Sequence, residues 1–259
     1  MKEIKRYLES REGNYSFYFE DLKSGFIYGF NENVKMPAAG CIKLPIAMAL
    51  LKEVENGKVS LNDLISIGDE DKVSGFFGII HEFSEKQYTL KELLVAMLIQ
   101  SDNTAACKII NILGMDKVNS LINDMGLKST KVNKYPSEVK LSDNEENITT
   151  SYDLSQCFKL LHNNTALSKE HSRLIIETLK RHQLNTRIPF YFQREIQANT
   201  ANKIGTLETV ENDTALLNFS KGDFVYTVMS NNLPTNVYGI TTIARSGKMM
   251  FDMVDKDWN

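Results

Sequence analysis

The sequence predicts an α/β (α+β) fold in which one sheet is built from both ends of the chain and a helical block is inserted between them. Three observations carry this. Residues 15–22 alternate, with Tyr15, Phe17 and Phe19 set against Ser16, Tyr18 and Glu20, which is the period of a strand. The middle of the chain carries apolar residues at helical spacing, punctuated by Gly57, Gly114 and Gly126. From Ala201 onward short β-rich runs return. A sheet assembled from two ends makes the middle an insertion, with residues 1–36 and 195–259 in the sheet domain and 37–194 in the helical one.

Taken in order, residues 2–10 predict a short amphipathic helix. Ser24-Gly25 marks a turn, and Phe26-Ile27-Tyr28-Gly29-Phe30 supplies the second strand of a hairpin. Pro45, Ile46, Ala47, Leu50, Leu51 and Val54 form one apolar helical face that Gly57 ends. Ser60 is read as the N-cap of the next segment. Thr89-Leu90-Lys91-Glu92 is a capping box ahead of Leu93, Leu94, Met97 and Leu98. Helices follow over about 104–113, 116–125, 151–161 and 168–182. Residues 127–148 show no sustained period and predict a long loop, a length that in folded domains usually serves function. The tail reads as strands over 201–207, 214–219 and 224–230, with Lys221-Gly222 as a hairpin turn, and a closing helix over 235–258.

Composition narrows the function. Apolar residues make up 42%, charged residues 24%, and the formal net charge is -3, with lysine and arginine scattered, so nucleic acid is not expected as a partner. Cys41, Cys107 and Cys157 form no CxxC and read as buried free thiols. His81, His162, His171 and His182 have no metal-ligand spacing and read as surface or half-buried residues, so no metal and no cofactor are expected. The first ten residues mix charges and lack the apolar core of a signal peptide. No run approaches the roughly 20 apolar residues of a membrane span. A cytoplasmic monomer is the expectation, or an extracellular or periplasmic one if a leader has been removed.

Three short motifs occur in sequence. Gly40-Cys41-Ile42-Lys43 opens a helix, Ser101-Asp102-Asn103 lies between two helices, and Lys203-Ile204-Gly205 lies on a strand. Each alone is common. Their order, their spacing and the flanking Lys43-Leu44-Pro45-Ile46-Ala47, Val73-Ser74-Gly75, Tyr88-Thr89-Leu90 and Asn147-Ile148-Thr149-Thr150 together resemble the class A, active-site-serine β-lactamases and their penicillin-binding relatives, over roughly residues 15–255. The resemblance implies an antiparallel sheet flanked by terminal helices, with an all-helical domain inserted, in one β-lactamase-like unit.

It also implies a chemistry. In the family, a serine hydroxyl attacks the lactam carbonyl, and a lysine three residues on takes its proton. The Ser-Asp-Asn serine relays that proton, and the asparagine holds the substrate amide. The strand Lys-Thr-Gly binds the substrate carboxylate, and an Ω-loop glutamate activates the deacylating water. Carried over residue by residue, Lys43 and Ser101 keep their catalytic positions, and Asn103, Lys203 and Gly205 keep their substrate-binding ones. Gly40 stands at the nucleophile's position and Ile204 at the hydroxyl's. Pro136 falls near the general base, with Glu138, Glu145 and Glu146 in its neighbourhood. Cys41, one residue along, is turned about 100° away on a helix and reads as a packing residue; Ser101 is the alternative substitute nucleophile, a weaker reading than its relay role.

Losing the nucleophile of a serine hydrolase can cost about a millionfold in turnover, or roughly 8 kcal/mol of barrier. The expectation is therefore a β-lactamase-like hydrolase homologue, weak or inactive on cyclic amides. Its ligand would be a small β-lactam-like amide or carboxylate. The alternatives are a non-catalytic binding or sensing module, an active hydrolase in which Gly40 is an engineered change, and a glutaminase-like amidase, which meets the same missing serine.

Overall fold

The computed structural model describes residues 1–74, 77–136 and 146–258. At the N-terminus, α1 (Lys2–Glu9) buries Ile4 and Leu8, one turn apart. It leads into β1 (Asn14–Asp21), which turns back through Gly25 into β2 (Ile27–Phe30). A short β3 (Met36–Pro37) precedes a 3₁₀ turn over Ala39–Ile42, which runs directly into α2 (Lys43–Glu55). The residues of α2 from Lys43 to Leu51 are all buried, so this helix is apolar nearly all round, as a helix at the centre of a bundle must be. Pro45 fits because it lies in the first turn, where backbone N–H groups have no helical acceptor.

After α2 the sequence reading is corrected. Ser60 caps no helix; its hydroxyl accepts from the Asn62 amide in a turn that opens β4 (Leu64–Ile67), which pairs with β5 (Lys86–Thr89). Four-residue strands with Leu64 turned to solvent carry too little pattern to be read. The capping box forms as expected. The Glu92 amide donates to Thr89 Oγ1 at 3.2 Å and the Thr89 amide to Glu92 Oε2 at 2.7 Å, starting α3 (Leu90–Ile99). Next come α4 (Asn103–Leu113), ended by Gly114 at φ +80°, and α5 (Met115–Asp124). The long loop is irregular where it is described; Glu138 and Glu145 fall outside the described residues, as does Gly75. It closes in β6 (Ile148–Thr149), paired with β3. Thr150 and Ser168 cap α6 (Ser151–His162) and α7 (Lys169–Leu179).

A short α8 (Arg194–Ala198), too brief to show a period, precedes β7 (Thr200–Leu207), β8 (Val210–Phe219) and β9 (Gly222–Asn231), and α9 (Asn236–Asp257) closes the chain. The main sheet is antiparallel in the order β2-β1-β9-β8-β7, so the two ends of the chain meet where β1 pairs with β9. Both faces are covered. Tyr15, Phe17 and Phe19 pack with Ile4, Leu8, Ile243 and Val254 of the terminal helices. Tyr18, Ala201, Leu216 and Val225 face the other way, into the core built with α2, α3 and α6. β1 is consequently buried along almost its whole length.

One close approach fixes α9 to the loop ahead of α8. A Cβ added at Gly247 would fall on the Ile188 carbonyl oxygen and within 2.9 Å of its Cα. Gly247→Ala is therefore expected to lose about 1–3 kcal/mol from overpacking, against the gain of order 1 kcal/mol that alanine brings to an open helix. A lower urea midpoint at unchanged m-value is the expected reading.

Candidate active site

Three segments meet in one cleft: the 3₁₀ turn before α2, the link between α3 and α4, and β7. Ala39, Gly40, Lys43, Ser101, Asn103 and Ile204 line it. Two of the segments are backbone-strained. Ala39 and Ser101 hold φ of +48° and +55°, conformations that non-glycine residues adopt rarely and that cluster where a site demands them.

Ser101 is the centre of the polar network. Its Oγ lies 3.2 Å from Lys43 Nζ and 3.0 Å from Lys203 Nζ. Lys43 also donates to the Ser101 carbonyl at 2.6 Å and to Asn103 Oδ1 at 2.6 Å. Because an ammonium only donates, the Asn103 oxygen must be turned to it, leaving the amide N–H₂ for another acceptor. Asp102 braces this link from behind. It is wholly buried, caps α4 through the Ala105 amide at 2.8 Å, and accepts from the Ile79 and Ile80 amides at 2.7 and 2.9 Å.

Burial pushes the Lys43 ammonium down to about 7, with the neighbouring Lys203 adding repulsion and Asp102 opposing it. Burial likewise pushes Lys203 down to about 8, with Arg187 adding and Cys41 and Asp213 opposing. At neutral pH the pair thus shares its charge, and Lys43 is poised to accept a proton. The same burial makes a stability statement. Both folded values lie below the ordinary 10.5, so above pH 7 the unfolded chain holds more protons and stability rises with pH. Burial raises Cys41 from 9.0 to about 12 and Cys157 well above 9.0, so above pH 9 the two thiols offset the two lysines and the climb flattens. Unfolding free energy is therefore expected to climb between pH 7 and 9, by of order 1 kcal/mol per pH unit. Urea curves should show a shallower climb in Lys43→Met.

The space at Gly40 is closed. A Cβ built there would stand 2.8 Å from the Ile204 carbonyl oxygen, 3.1 Å from Ser101 Oγ and 3.4 Å from the Gly205 Cα. Gly205 packs equally tightly in return: its own added Cβ would lie 2.8 Å from both the Ala38 oxygen and the Gly40 nitrogen. Cys41 is buried with its thiol on the Lys203 carbonyl at 3.2 Å and its pKa raised, so it stays an inert thiol. Cys107 and Cys157 are also buried, and neither is in a disulfide.

Across the cleft, Pro136, Glu146 and Asn147 form the wall contributed by the long loop. Of the glutamates suggested by the sequence, Glu146 reaches the cleft. It is buried and ion-paired with Lys134 at 2.8 Å. The Asn147 carbonyl accepts from the Ala38 amide at 2.7 Å, which ties this wall to the turn carrying Gly40.

Thr206 also lines the cleft and was missed by motif reading, although period two from Ile204 places it on the same strand face. Its hydroxyl is held by a buried ion pair: Arg187 donates to Thr206 Oγ1 at 2.6 Å and to Glu211 Oε2, and Thr206 itself donates to Glu211 at 3.0 Å. His182, read as a surface residue, is buried at the end of α7 beside β7, and burial holds its pKa well below the ordinary 6.5. Among the described residues no group of three or more His, Cys, Asp or Glu side chains is placed to hold a metal ion, and no helix is long and apolar enough to cross a membrane.

The model of the β-lactamase enzyme family matches residues 1–254. The chain belongs to the β-lactamase enzyme family. Its curated relatives include the β-lactamases CARB-3 and PSE-4 of Pseudomonas aeruginosa, 29% and 28% identical over 145 residues; that stretch is 54% of this chain and 50% of each relative. The chain thus spans about half the length of the curated relatives it matches. Among solved structures, a β-lactamase from Sphaerobacter thermophilus is 24% identical with a TM-score of 0.88, covering 96% of this chain and 93% of that one. The TLA-3 extended-spectrum β-lactamase is 18% identical with a TM-score of 0.91, covering 98% of both chains. A PBP-A variant solved as its acyl-enzyme with penicillin G is 23% identical with a TM-score of 0.88, covering 98% and 96%. At these identities the likeness is one of fold, and the β-lactamase/transpeptidase-like architecture expected from the three motifs is the one this chain has.

Proposed function

We propose that this β-lactamase-family chain holds a small β-lactam-like amide in its cleft without turning it over, and acts as a monomeric binding or sensing protein. The observation that carries this is the contrast at the cleft floor. The network Lys43–Ser101–Asn103–Lys203 is complete and held from behind by Asp102, while at Gly40 there is neither a side chain nor room for one. Drift of the whole site would have loosened the network as well.

Each residue has a role in binding. Asn103 offers its amide N–H₂ to the ligand carbonyl, because Lys43 occupies its oxygen. Lys203, buried beneath Ser101, supplies positive potential toward a ligand carboxylate. That end of the cleft is weaker than the family pattern, since Ile204 brings no hydroxyl and the Thr206 hydroxyl is already committed to Arg187 and Glu211. An amide is thus favoured over a dianionic ligand. Glu146, paired with Lys134, is not free to activate a water.

Thermal melting against benzylpenicillin, peptidoglycan fragments and acyl amides tests this. A ligand at 100 times its Kd adds about 2.7 kcal/mol, which for a chain of this size raises Tm by roughly 5–10 °C. Asn103→Leu should abolish that rise, and a chromogenic cephalosporin should not turn over. A flat melt with every class of ligand, or multiple turnovers by the unaltered chain, would sink the proposal.

A further inference from the structure

The absence of a side chain at Gly40 changes the position of another residue. A Cβ there would stand 3.1 Å from Ser101 Oγ. With glycine in place, this flank of Ser101 is free of side chain. We propose that Ser101 is itself a covalent acyl acceptor, which takes an acyl group from an activated small amide or ester once and keeps it. The inference rests on the amide-binding reading for its natural ligand, but the reactivity of Ser101 does not.

The geometry has the parts of an activated nucleophile. Two lysine amines lie within hydrogen-bond reach of the hydroxyl, at 3.0 and 3.2 Å. The strained backbone at Ser101, with φ +55°, holds the oxygen between them. No other nucleophile among the described cleft residues is as well placed. Thr206 Oγ1 is committed to Arg187 and Glu211, Lys134 to Glu146, and Cys41 is sealed behind the Lys203 carbonyl.

The step balances without a cofactor. The Ser101 oxygen bonds to the carbonyl carbon, and its proton passes to neutral Lys43, whose lowered pKa makes that form abundant at neutral pH. The Lys203 ammonium offsets the charge developing on the carbonyl oxygen. On collapse the carbon–nitrogen bond of an amide breaks, and Lys43 returns the proton to the leaving nitrogen. With a p-nitrophenyl ester the carbon–oxygen bond breaks, the phenolate leaves and the proton stays on Lys43. Hydrolysis of the resulting ester needs a base beside a water: Lys43, neutral again, lies against the esterified Ser101 oxygen, and Glu146, the carboxylate lining the described cleft wall, is held by Lys134. The acyl group therefore accumulates at one per chain.

The test treats the full chain separately with benzylpenicillin and with p-nitrophenyl acetate, and reads intact mass and the modified peptide. The expected result is one acyl group per chain on Ser101, absent in Ser101→Ala and present as a hydroxylamine-labile thioester in Ser101→Cys. The labelling rate should rise about tenfold per pH unit up to pH 7, following deprotonation of Lys43, and fall above about pH 8 as Lys203 loses the ammonium that offsets the oxyanion. Label from the ester alone would uphold Ser101 as acceptor and count against a β-lactam as the ligand class. Label on Lys43 or elsewhere, or none with either reagent, overturns the inference. A ligand-induced rise in Tm without any label would leave the binding proposal standing and remove this one.

Discussion

Replacing Gly40 with serine is expected to leave β-lactam hydrolysis at background and to lower stability by about 1–3 kcal/mol, the usual range for an overpacked site. On the family resemblance alone, one hydroxyl at position 40 would restore roughly 8 kcal/mol of barrier lowering. Packing says otherwise. The new Cβ would lie 2.8 Å from the Ile204 carbonyl oxygen, so β7 or the turn at residues 39–42 must move by several tenths of an ångström. Neither yields easily, because Gly205 is pressed against Ala38 and Gly40 from the opposite direction. Movement of β7 carries Lys203 away from Ser101, and attack requires reacting atoms held near 3–3.5 Å in good alignment. Gly40→Ala separates the causes, since it adds the same Cβ without a hydroxyl and should show the same stability loss. Urea curves of both variants, with cephalosporin turnover of Gly40→Ser, decide it. Turnover at an unchanged midpoint would mean that the absent serine was the whole lesion.

The sequence puts a glycine where the resemblance expects a nucleophile, and only the backbone shows how closely Gly40 is packed. The motif residues themselves were legible because their neighbours carry strong local signals. Thr89 and Glu92 set the start of α3, and with it the position of Ser101 at that helix's far end. The period of β7 fixes which of its residues face the cleft. The sheet built from two chain ends was legible for the same reason, from the alternation in β1 and the hairpin signal at Lys221-Gly222, although the turn itself is Ser220-Lys221 and Gly222 already pairs with Phe219. What failed to show was short or non-local. β4 and β5 pair across a gap of some twenty residues with four residues each. Glu146 lies in a stretch without periodicity, and its approach to the cleft depends on β6 pairing with β3. His182 looks polar in sequence, and its burial follows from α7 packing beside β7.

Arg187 is the extreme case of a residue without a local signal, and its replacement by leucine is expected to be the most destabilising single change considered. Arg187 and Glu211 are both almost wholly buried, so removing the guanidinium leaves a carboxylate without its counter-charge in the interior. Such losses cost about 3–5 kcal/mol. The damage spreads, because Glu211 also accepts from Asn236 at 2.8 Å at the start of α9 and Arg187 holds Thr206 at the cleft. The double variant Arg187→Leu with Glu211→Leu removes both charges, and replacing a buried pair by apolar side chains is often near neutral. It should therefore recover much of the lost stability. It should not recover ligand binding, since the Thr206 hydroxyl loses both partners that orient it. Urea denaturation of the two variants beside ligand-dependent melting separates these effects. If the single variant falls by less than about 1 kcal/mol, the pair contributes no more than an exposed ion pair does, and the fixed orientation of Thr206 must come from the strand alone.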